Sequence, residues 1–590
     1  MAPGADTNQG SNALTSTLLF LITLTVFWVS PVHQVTESRY SMLLSQGLLE
    51  HRSFALDLYN IPRLEPVYHD HTWKNGHIGQ LELVGDRFYY YLPPGSSVLS
   101  VPFVAVLNMV GISARNPDAT FNPDGEIKIE RILAALLMAA LSVVLFFAAR
   151  LVLPRSWSVM VALGAAFGTQ VWSTNSRALW ADTWGLLLLG VVVYLLLADE
   201  LARRRLKPVL LASLLSWTYF VRPTNAAAIL AVSCYILWRR RQLFLPYILT
   251  GMGWLLLFML YSWIHYRALL PTYFRVNKRL SFEHFATAVA GNLISPSRGL
   301  LVFVPVTVLV LFIALKFRRS LRSRPLFYLA TTISGLYLLV MSTFNPWWAG
   351  ASYGPRYLAP VIPWIALLAV LGLDALRRVG ESNIRALVIA GSLLLSLSVV
   401  INGVGAISHR AWAWNTYGDI DHDPKKVWNL RHSQILAAFL HPPLPDEFPL
   451  LTDRLELSSP QAEKYLRFGW SGAEQGFRWT DGSEAAIIFA MDNPEELKVE
   501  ISLTPFLVNG RHERQRLEIL MNDVSIQSWE LRSDQGKSYE FRLPRATIQK
   551  RNVLTLRLPD AASPNDFKIS TDERRLGVAV HWIKVSHVIN

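Results

Sequence analysis

The chain has 590 residues, 52% of them hydrophobic and 17% charged, with a formal net charge of +13. Charged residues make up about a quarter of an ordinary soluble chain, so this composition excludes a single soluble domain and intrinsic disorder. The lone cysteine, Cys234, excludes an intramolecular disulfide framework and a cysteine-rich metal site.

In chain order, apolar blocks occupy 14–32, 131–149, 157–172, 182–198, 208–220, 224–238, 244–264, 299–315, 326–342, 357–374 and 385–403. A full span needs roughly 17 residues or more, so the shorter blocks borrow flanking residues or pack as half-spans inside protein. The pattern predicts a polytopic α-helical membrane bundle of about eleven spans over residues 1–405. Met1 to Ala13 has no Lys or Arg, and no small-x-small site follows the first block, which favours a retained first span over a cleaved signal peptide. Residues 33–130 form a long loop. Its apolar stretch 96–111, entered through Pro93-Pro94-Gly95, is expected to lie at the membrane interface without crossing.

Beyond residue 405 the composition turns polar. Residues 406–450 read as a linker, and 451–590 as an all-β, jelly-roll-like sandwich. The evidence is alternating runs at 497–503 and 516–521 and turn signals at Asp481-Gly482 and Asn509-Gly510. Trp470 and Trp479 in this region serve as sugar platforms or as core aromatics.

Basic clusters fall in alternate loops: Arg150/Arg155, Arg203 to Lys207, Arg239 to Arg241, Lys316 to Arg324 and Arg377/Arg378/Arg385. The positive-inside rule makes these loops cytoplasmic and places 33–130 and the C-terminal domain outside. Much of the +13 is therefore topology and lipid-surface charge, and nucleic acid drops out as a partner.

Charged residues near the outer ends of the spans are the candidates for chemistry: Glu37, Arg177, Asp182, Arg222, Arg298 and Arg356. Each is also explained, singly, as an interfacial residue satisfying a helix end or a lipid headgroup. Partial desolvation near the acyl boundary would make Glu37 a usable general base. Asp182 is an N-cap or a second functional carboxylate, and two carboxylates on separate spans can share a divalent cation. Ser295-Pro296-Ser297-Arg298-Gly299 and Arg222-Pro223-Thr224 join a guanidinium to a helix start, which suits a phosphate. The segment Trp347-Trp348 to Tyr353-Gly354-Pro355-Arg356-Tyr357 adds aromatics able to stack on a sugar or an isoprenoid, or to serve as a membrane-interface belt. His69 and His71, with His77 nearby, form a weak metal candidate in the first outer loop. No P-loop, dinucleotide fingerprint, zinc-protease motif or nucleophile elbow occurs.

The order of these motifs over the first 400 or so residues resembles the GT-C superfamily of polytopic glycosyltransferases, in its bacterial aminoarabinose- and mannosyl-transferase-like branch. The matching residues are Glu37-Ser38-Arg39-Tyr40, Tyr91-Leu92-Pro93-Pro94-Gly95, Arg177 with Asp182, Phe220 to Thr224, Ser295 to Leu300 and Tyr353 to Pro360. The resemblance implies an inverting transfer from a polyprenyl-phosphate sugar to a cell-envelope acceptor, at the outer face of a bacterial inner membrane. Glu37 would then be the base, with Thr36 standing where such enzymes usually carry a second acid; either the single acid suffices, or Asp182 or an acid such as Asp57 complements it. Arg298, Arg356 and Arg222 would hold the donor phosphate, with Arg39, Tyr40, Arg177, Trp347, Trp348, Tyr353 and Tyr357 around the substrates. Phe468 to Ser471, Arg478 to Thr480 and Arg574 to Val578 resemble carbohydrate-binding-module-like tails. Two rivals belong to other classes: a transporter or flippase for lipid-linked sugars, and a non-catalytic membrane-anchored carbohydrate-binding assembly protein. Sparse midplane charge and the lack of inverted repeats weigh against the first.

Overall fold

The computed structural model describes residues 4–588 apart from 35–37, 60–76, 79, 86, 276–279, 381–383, 416–419, 421–423, 440–453, 460, 463–464, 492–493, 550, 571 and 573. The chain divides into a helical unit, residues 1–413 with 424–440, and a second unit, 414–423 with 441–590. Part of the stretch that composition assigns to a linker thus belongs to the helical unit.

The helical unit begins with α1 (Gly4–Val29), α2 (Ser41–His51), a three-stranded antiparallel sheet of β1 (His77–Ile78), β2 (Leu81–Val84) and β3 (Arg87–Tyr90), and α3 (Gly95–Met109). It continues with α4 (Pro123–Arg150), α5 (Arg155–Phe167), α6 (Ala181–Ala202), α7 (Pro208–Val221), α8 (Ala226–Arg239), α9 (Arg241–Tyr266), α10 (Thr272–Arg275), α11 (Phe285–Ile294) and α12 (Leu300–Phe303). It closes with α13 (Val306–Lys316), α14 (Arg324–Ser342), α15 (Ile362–Val379), α16 (Ile384–Ile407) and α17 (His409–Ala413).

Every one of the apolar blocks is helical. Seven helices among the described residues, α1, α4, α6, α9, α14, α15 with its preceding turn, and α16, are long and apolar enough to cross a membrane. The chain is a membrane protein by that measure. The remaining blocks give shorter helices, and proline explains two of the breaks. Pro305 has no N–H to donate and drives Val304 out of helical geometry (φ −130°, ψ 65°), splitting 299–315 into α12 and α13. Pro223 does the same to Arg222, which is extended at φ −151°, ψ 114° and ends α7.

Helix ends gather into two layers. At one end, Arg239 and Arg240 pair with Glu200 at 2.9 Å each, Arg240 pairs with Asp199 at 2.8 Å, and Asp374 takes Arg322 and Arg378. At the other end α2, α3, α4, α6 and α15 begin and α1 and α7 stop. There the backbone N–H groups of Tyr40 and Met42 each donate to Glu126 in the first turn of α4 at 2.9 Å, and Ser41 and Ser97 share a 3.0 Å hydrogen bond. Because α3 starts in the layer where α4 also starts, the stretch 96–111 makes no net crossing of the bundle. Gly95 sets this contact: a Cβ there would lie within 2.6 Å of the backbone of Phe220 and Val221, so α3 begins directly against the end of α7.

The second unit is a β-sandwich. One sheet runs in the order β10 (Val524–Leu531), β9 (Gln515–Met521), β12 (Arg551–Arg557), β7 (Glu484–Ala490). The other runs β11 (Lys537–Leu543), β8 (Leu497–Pro505), β13 (Leu576–His587), β6 (Phe477–Asp481), β5 (Trp470–Glu474), with β4 (Leu455–Glu456) on β13. Leu497, Val499, Ile501 and Leu503 of β8 alternate inward, as a half-buried strand requires. Trp470 packs against the core and donates from its indole to the Ala486 carbonyl, whereas Trp479 lies in a cluster of rings with Phe477 and Phe506.

Candidate active site

The layer where α2, α3 and α6 begin encloses a cavity lined by Ser38, Ser96, Arg222, Thr224, Arg356 and Tyr357, among others. These residues come from four well-separated stretches of sequence, and every one stands at a helix end or in the turn beside it. Arg222 owes its position to the pre-proline break. Its guanidinium meets the Asp182 carboxylate and lies 5.5 Å from the centre of the Tyr357 ring. The Asp182 side chain is fully buried and that of Arg222 is 10% exposed, so the acid stands behind the arginine and the arginine faces the cavity. Arg356 is held differently, with its guanidinium 3.5 Å from the centre of the Trp180 ring. Trp180 is itself fixed by an indole N–H donating to Gln34 at 3.2 Å, and Gln34 donates to the Ser173 carbonyl at 2.9 Å.

Glu37 lies outside the described residues, as do His69 and His71. Ser38, the next residue, lines the cavity. Arg39 sits over the rings of Tyr40 and Phe121, at 5.3 and 5.6 Å, and Tyr40 takes a left-handed conformation with φ 70°. Tyr40 packs in the apolar cluster under α2 and does not line the cavity.

Arg177 is turned away from the cavity. It donates to the carbonyls of Phe27 and Ser30 and so clamps the end of α1. Arg298 is also elsewhere: buried, it donates to the Trp348, Ser297 and Gly350 carbonyls and, at 2.6 Å, to Gln434 Oε1. Tyr353 is fully buried and donates to the Ile401 carbonyl at 2.8 Å, and Trp347 is wedged against Gly291, where a Cβ would fall 2.1 Å from its ring. The sequence candidates therefore separate into two groups. Arg222, Arg356 and Tyr357, with Asp182 behind them, share the cavity; Arg298 ties the Trp348 carbonyl to Gln434, and Trp347 and Tyr353 are packed into the helical unit.

Three acids escape the sequence reading. Glu126 and Glu130 stand four residues apart at the start of α4, both buried. Glu126 supplies the capping acceptor that α2 lacks among its own side chains, accepting from Tyr40, Met42 and Leu43. Two acids at i and i+4 immediately before the block at 131 were the available signal. Glu82 on β2 accepts from the Thr272 hydroxyl at 3.0 Å, and burial pushes its carboxyl up to about 7. Burial holds the imidazole of His33, after α1, down at about 4, reinforced by Arg131, so it is neutral.

No group of three or more His, Cys, Asp or Glu side chains able to hold a metal occurs among the described residues. Asp182, the described member of the carboxylate pair that a cation would bridge, already has a guanidinium against one oxygen.

No family model matches the sequence, and no curated protein matches it. Among solved structures the chain is similar to ArnT from Cupriavidus metallidurans in the apo state, at 17% identity over 72% of this chain and 74% of that one, with a TM-score of 0.38. It is also similar to a family 35 carbohydrate-binding module from an environmental isolate, at 13% identity over 23% of this chain and 93% of that one, with a TM-score of 0.15. A family GH115 4-O-methyl-alpha-glucuronidase with specificity for decorated arabinogalactans matches at 11% identity, 67% and 44% coverage, and a TM-score of 0.17.

Proposed function

We propose that the protein is a membrane glycosyltransferase that moves a sugar from a polyprenyl-phosphate carrier to a cell-envelope acceptor. The observation that carries this reading is the pair of buried guanidiniums, Arg222 and Arg356, facing one hydroxyl-lined cavity at the end of an apolar bundle. An uncharged lipid chain needs only the bundle. A phosphate in the same layer needs fixed positive charge, which these two residues supply.

In the reaction, an acceptor hydroxyl oxygen bonds to the anomeric carbon as the bond from that carbon to the phosphate oxygen breaks. The electron pair goes to the leaving polyprenyl phosphate, whose growing charge Arg222 and Arg356 stabilise. The acceptor proton passes to Glu37, the base in this proposal. Asp182 acts through Arg222 as a positioning residue, keeping the guanidinium aimed at the cavity. Arg39 and Tyr40 follow Glu37 and anchor its segment, and a divalent cation, if one is used, would sit with Glu37. By the positive-inside rule, the cavity end of the bundle is the periplasmic one and the arginine-rich loops are cytoplasmic.

The test is to incubate purified protein with a polyprenyl-phosphate sugar and envelope acceptors. Free polyprenyl phosphate appearing together with a glycosylated product supports the reading. Relocation of intact donor across a vesicle membrane means a flippase, and neither outcome means a binding protein. Glu37→Gln should abolish transfer with donor binding retained; full transfer by that variant removes Glu37 from the mechanism.

A further inference from the structure

A long apolar cleft runs between α5, α13, α15 and α16 and shares no lining residue with the cavity of Arg222 and Arg356. Its volume is about 200 Å³, no charged residue lines it, and Thr169 and Ser392 supply its only hydroxyls. Small residues make the slot. A Cβ on Gly391 would lie 3.1 Å from the Leu309 side chain, and one on Gly372 3.1 Å from that of Ile313, with Ala366 and Ala369 continuing the strip along α15. Met160 and Val388, at the edge of the cleft, are exposed, so it opens to the outside of the bundle. On α15 the lining residues run from Ile362 to Leu376, about 21 Å of helix at 1.5 Å per residue. One leaflet contributes roughly 15 Å of hydrocarbon.

One end of the cleft lies in the layer where Asp374 takes Arg322 and Arg378. Three further arginines border it there: Arg155 just before Trp157, Arg377 directly after Leu376, and Arg385 just before Leu387. None of the three makes a hydrogen bond or ion pair among the described residues. Packing sets two of them level. A Cβ on Gly164 would meet Leu395 at 3.2 Å, and one on Gly168 would meet Leu395 at 3.1 Å and Ser398 at 3.4 Å, so α5 and α16 run side by side in the same direction. Counting back from the Gly164 contact by nine residues on α5 and ten on α16 reaches Arg155 and Arg385. Pro154 gives α5 no side-chain cap, so its first-turn N–H groups add to the positive potential at this end.

We propose that the cleft binds a glycerophospholipid with an anionic headgroup, one acyl chain lying along the slot and the phosphate held at Arg155 and Arg385, with Arg377 beside them. The walls accept only hydrocarbon. The guanidiniums at the mouth have no acid left to neutralise them, because Asp374 is already shared by two other arginines. A zwitterionic lipid would bring its own ammonium to that cluster and gain less from it. A slot about one leaflet deep suits a straight acyl chain and not a long, methyl-branched polyprenyl chain. Protein covers little of α16, so the bound chain supplies packing that α5, α13 and α15 leave missing. Nothing here depends on the chemistry at the other end of the bundle.

The full chain, stripped of lipid in detergent, is titrated with phosphatidylglycerol and with phosphatidylcholine, and read by native mass spectrometry and thermal melting. The wild type should bind phosphatidylglycerol at least tenfold more tightly than phosphatidylcholine and melt higher with it, and polyprenyl phosphate should not displace it. Arg155→Gln with Arg385→Gln should lose at least tenfold in affinity for phosphatidylglycerol and keep its affinity for phosphatidylcholine, which also shows that the variant folds. Arg204→Gln with Arg205→Gln removes the same charge from the exposed loop after α6 and should bind as the wild type does. Ala369→Phe, which fills the slot, should weaken both phospholipids. Equal affinity for the two phospholipids, displacement by polyprenyl phosphate, or equal losses in the two arginine pairs would overturn the proposal. So would unaltered binding by a folded Ala369→Phe; if that variant does not fold, the arginine pairs and the competition decide.

Discussion

Arg298 and Arg222 look alike in sequence, each within two residues of a proline and just before an apolar block, yet they do opposite work. Arg298 spends its donors on three backbone carbonyls and Gln434, so it joins segments that would otherwise carry unpaired polar groups. Arg222 meets the Asp182 carboxylate and the Tyr357 ring and lines the cavity. Arg356 resembles Arg222, with Trp180 in place of the carboxylate. What separates them is the nature of the partner. Carbonyls bind a guanidinium through its in-plane N–H groups, whereas a ring meets it at its face.

The contrast breaks most visibly in turnover. Arg356→Ala and Arg222→Ala should each lower kcat/KM for sugar transfer by about 10²–10³-fold, the scale for losing one transition-state donor, with the unfolding temperature nearly unchanged for Arg356→Ala. Steady-state kinetics beside a thermal melt check this. If Arg356→Ala melts early and keeps its activity, the two arginines belong to one structural class.

Arg298→Ala should do the reverse. Removing the donor that the Trp348, Ser297 and Gly350 carbonyls share costs about 1–3 kcal/mol for each group left without a partner. The variant should therefore melt well below the wild type, and whatever fraction remains folded should bind bare polyprenyl phosphate normally. A stable Arg298→Ala protein with weakened phosphate binding would move Arg298 into the site.

The smallest effect concerns Glu82, which accepts from Thr272, the chain neighbour of the cavity residue Tyr273. The folded chain holds its proton up to about 7, against an ordinary value of 4.5. Between those values the folded state keeps a proton that the unfolded chain has lost, so stability falls as pH rises through this window and stays lower above it. Protection of the amides of 81–85, 87–90 and 272–275, taken relative to the base-catalysed intrinsic exchange rate at each pH, should be lower at pH 8 than at pH 5, and Glu82→Gln should flatten that difference.

Much of the helical architecture was legible because membrane helices announce themselves by local composition. Each apolar block became a helix, and the alternating inward residues of β8 marked the sandwich. Candidate site residues were legible as types and not as partnerships. Nothing near Asp182 says that it pairs with Arg222, 40 residues on, and nothing near Arg298 points to Gln434, 136 residues on. Such pairings arise from helix packing, which period and composition do not encode. Glu126 escaped for the same reason: it caps a helix whose own first turn lies 86 residues earlier.

The segment 424–440 has a consequence for how the protein is made. After α17 the chain contributes ten residues to the sandwich unit and only then supplies Gln434 to the helical unit. Since chains emerge from the ribosome N-terminus first, every span is synthesised while Arg298 still lacks its last acceptor. The bundle is therefore completed from its own downstream sequence, and a chain ending at the last span would contain all the spans and still lack the Gln434 partner of Arg298.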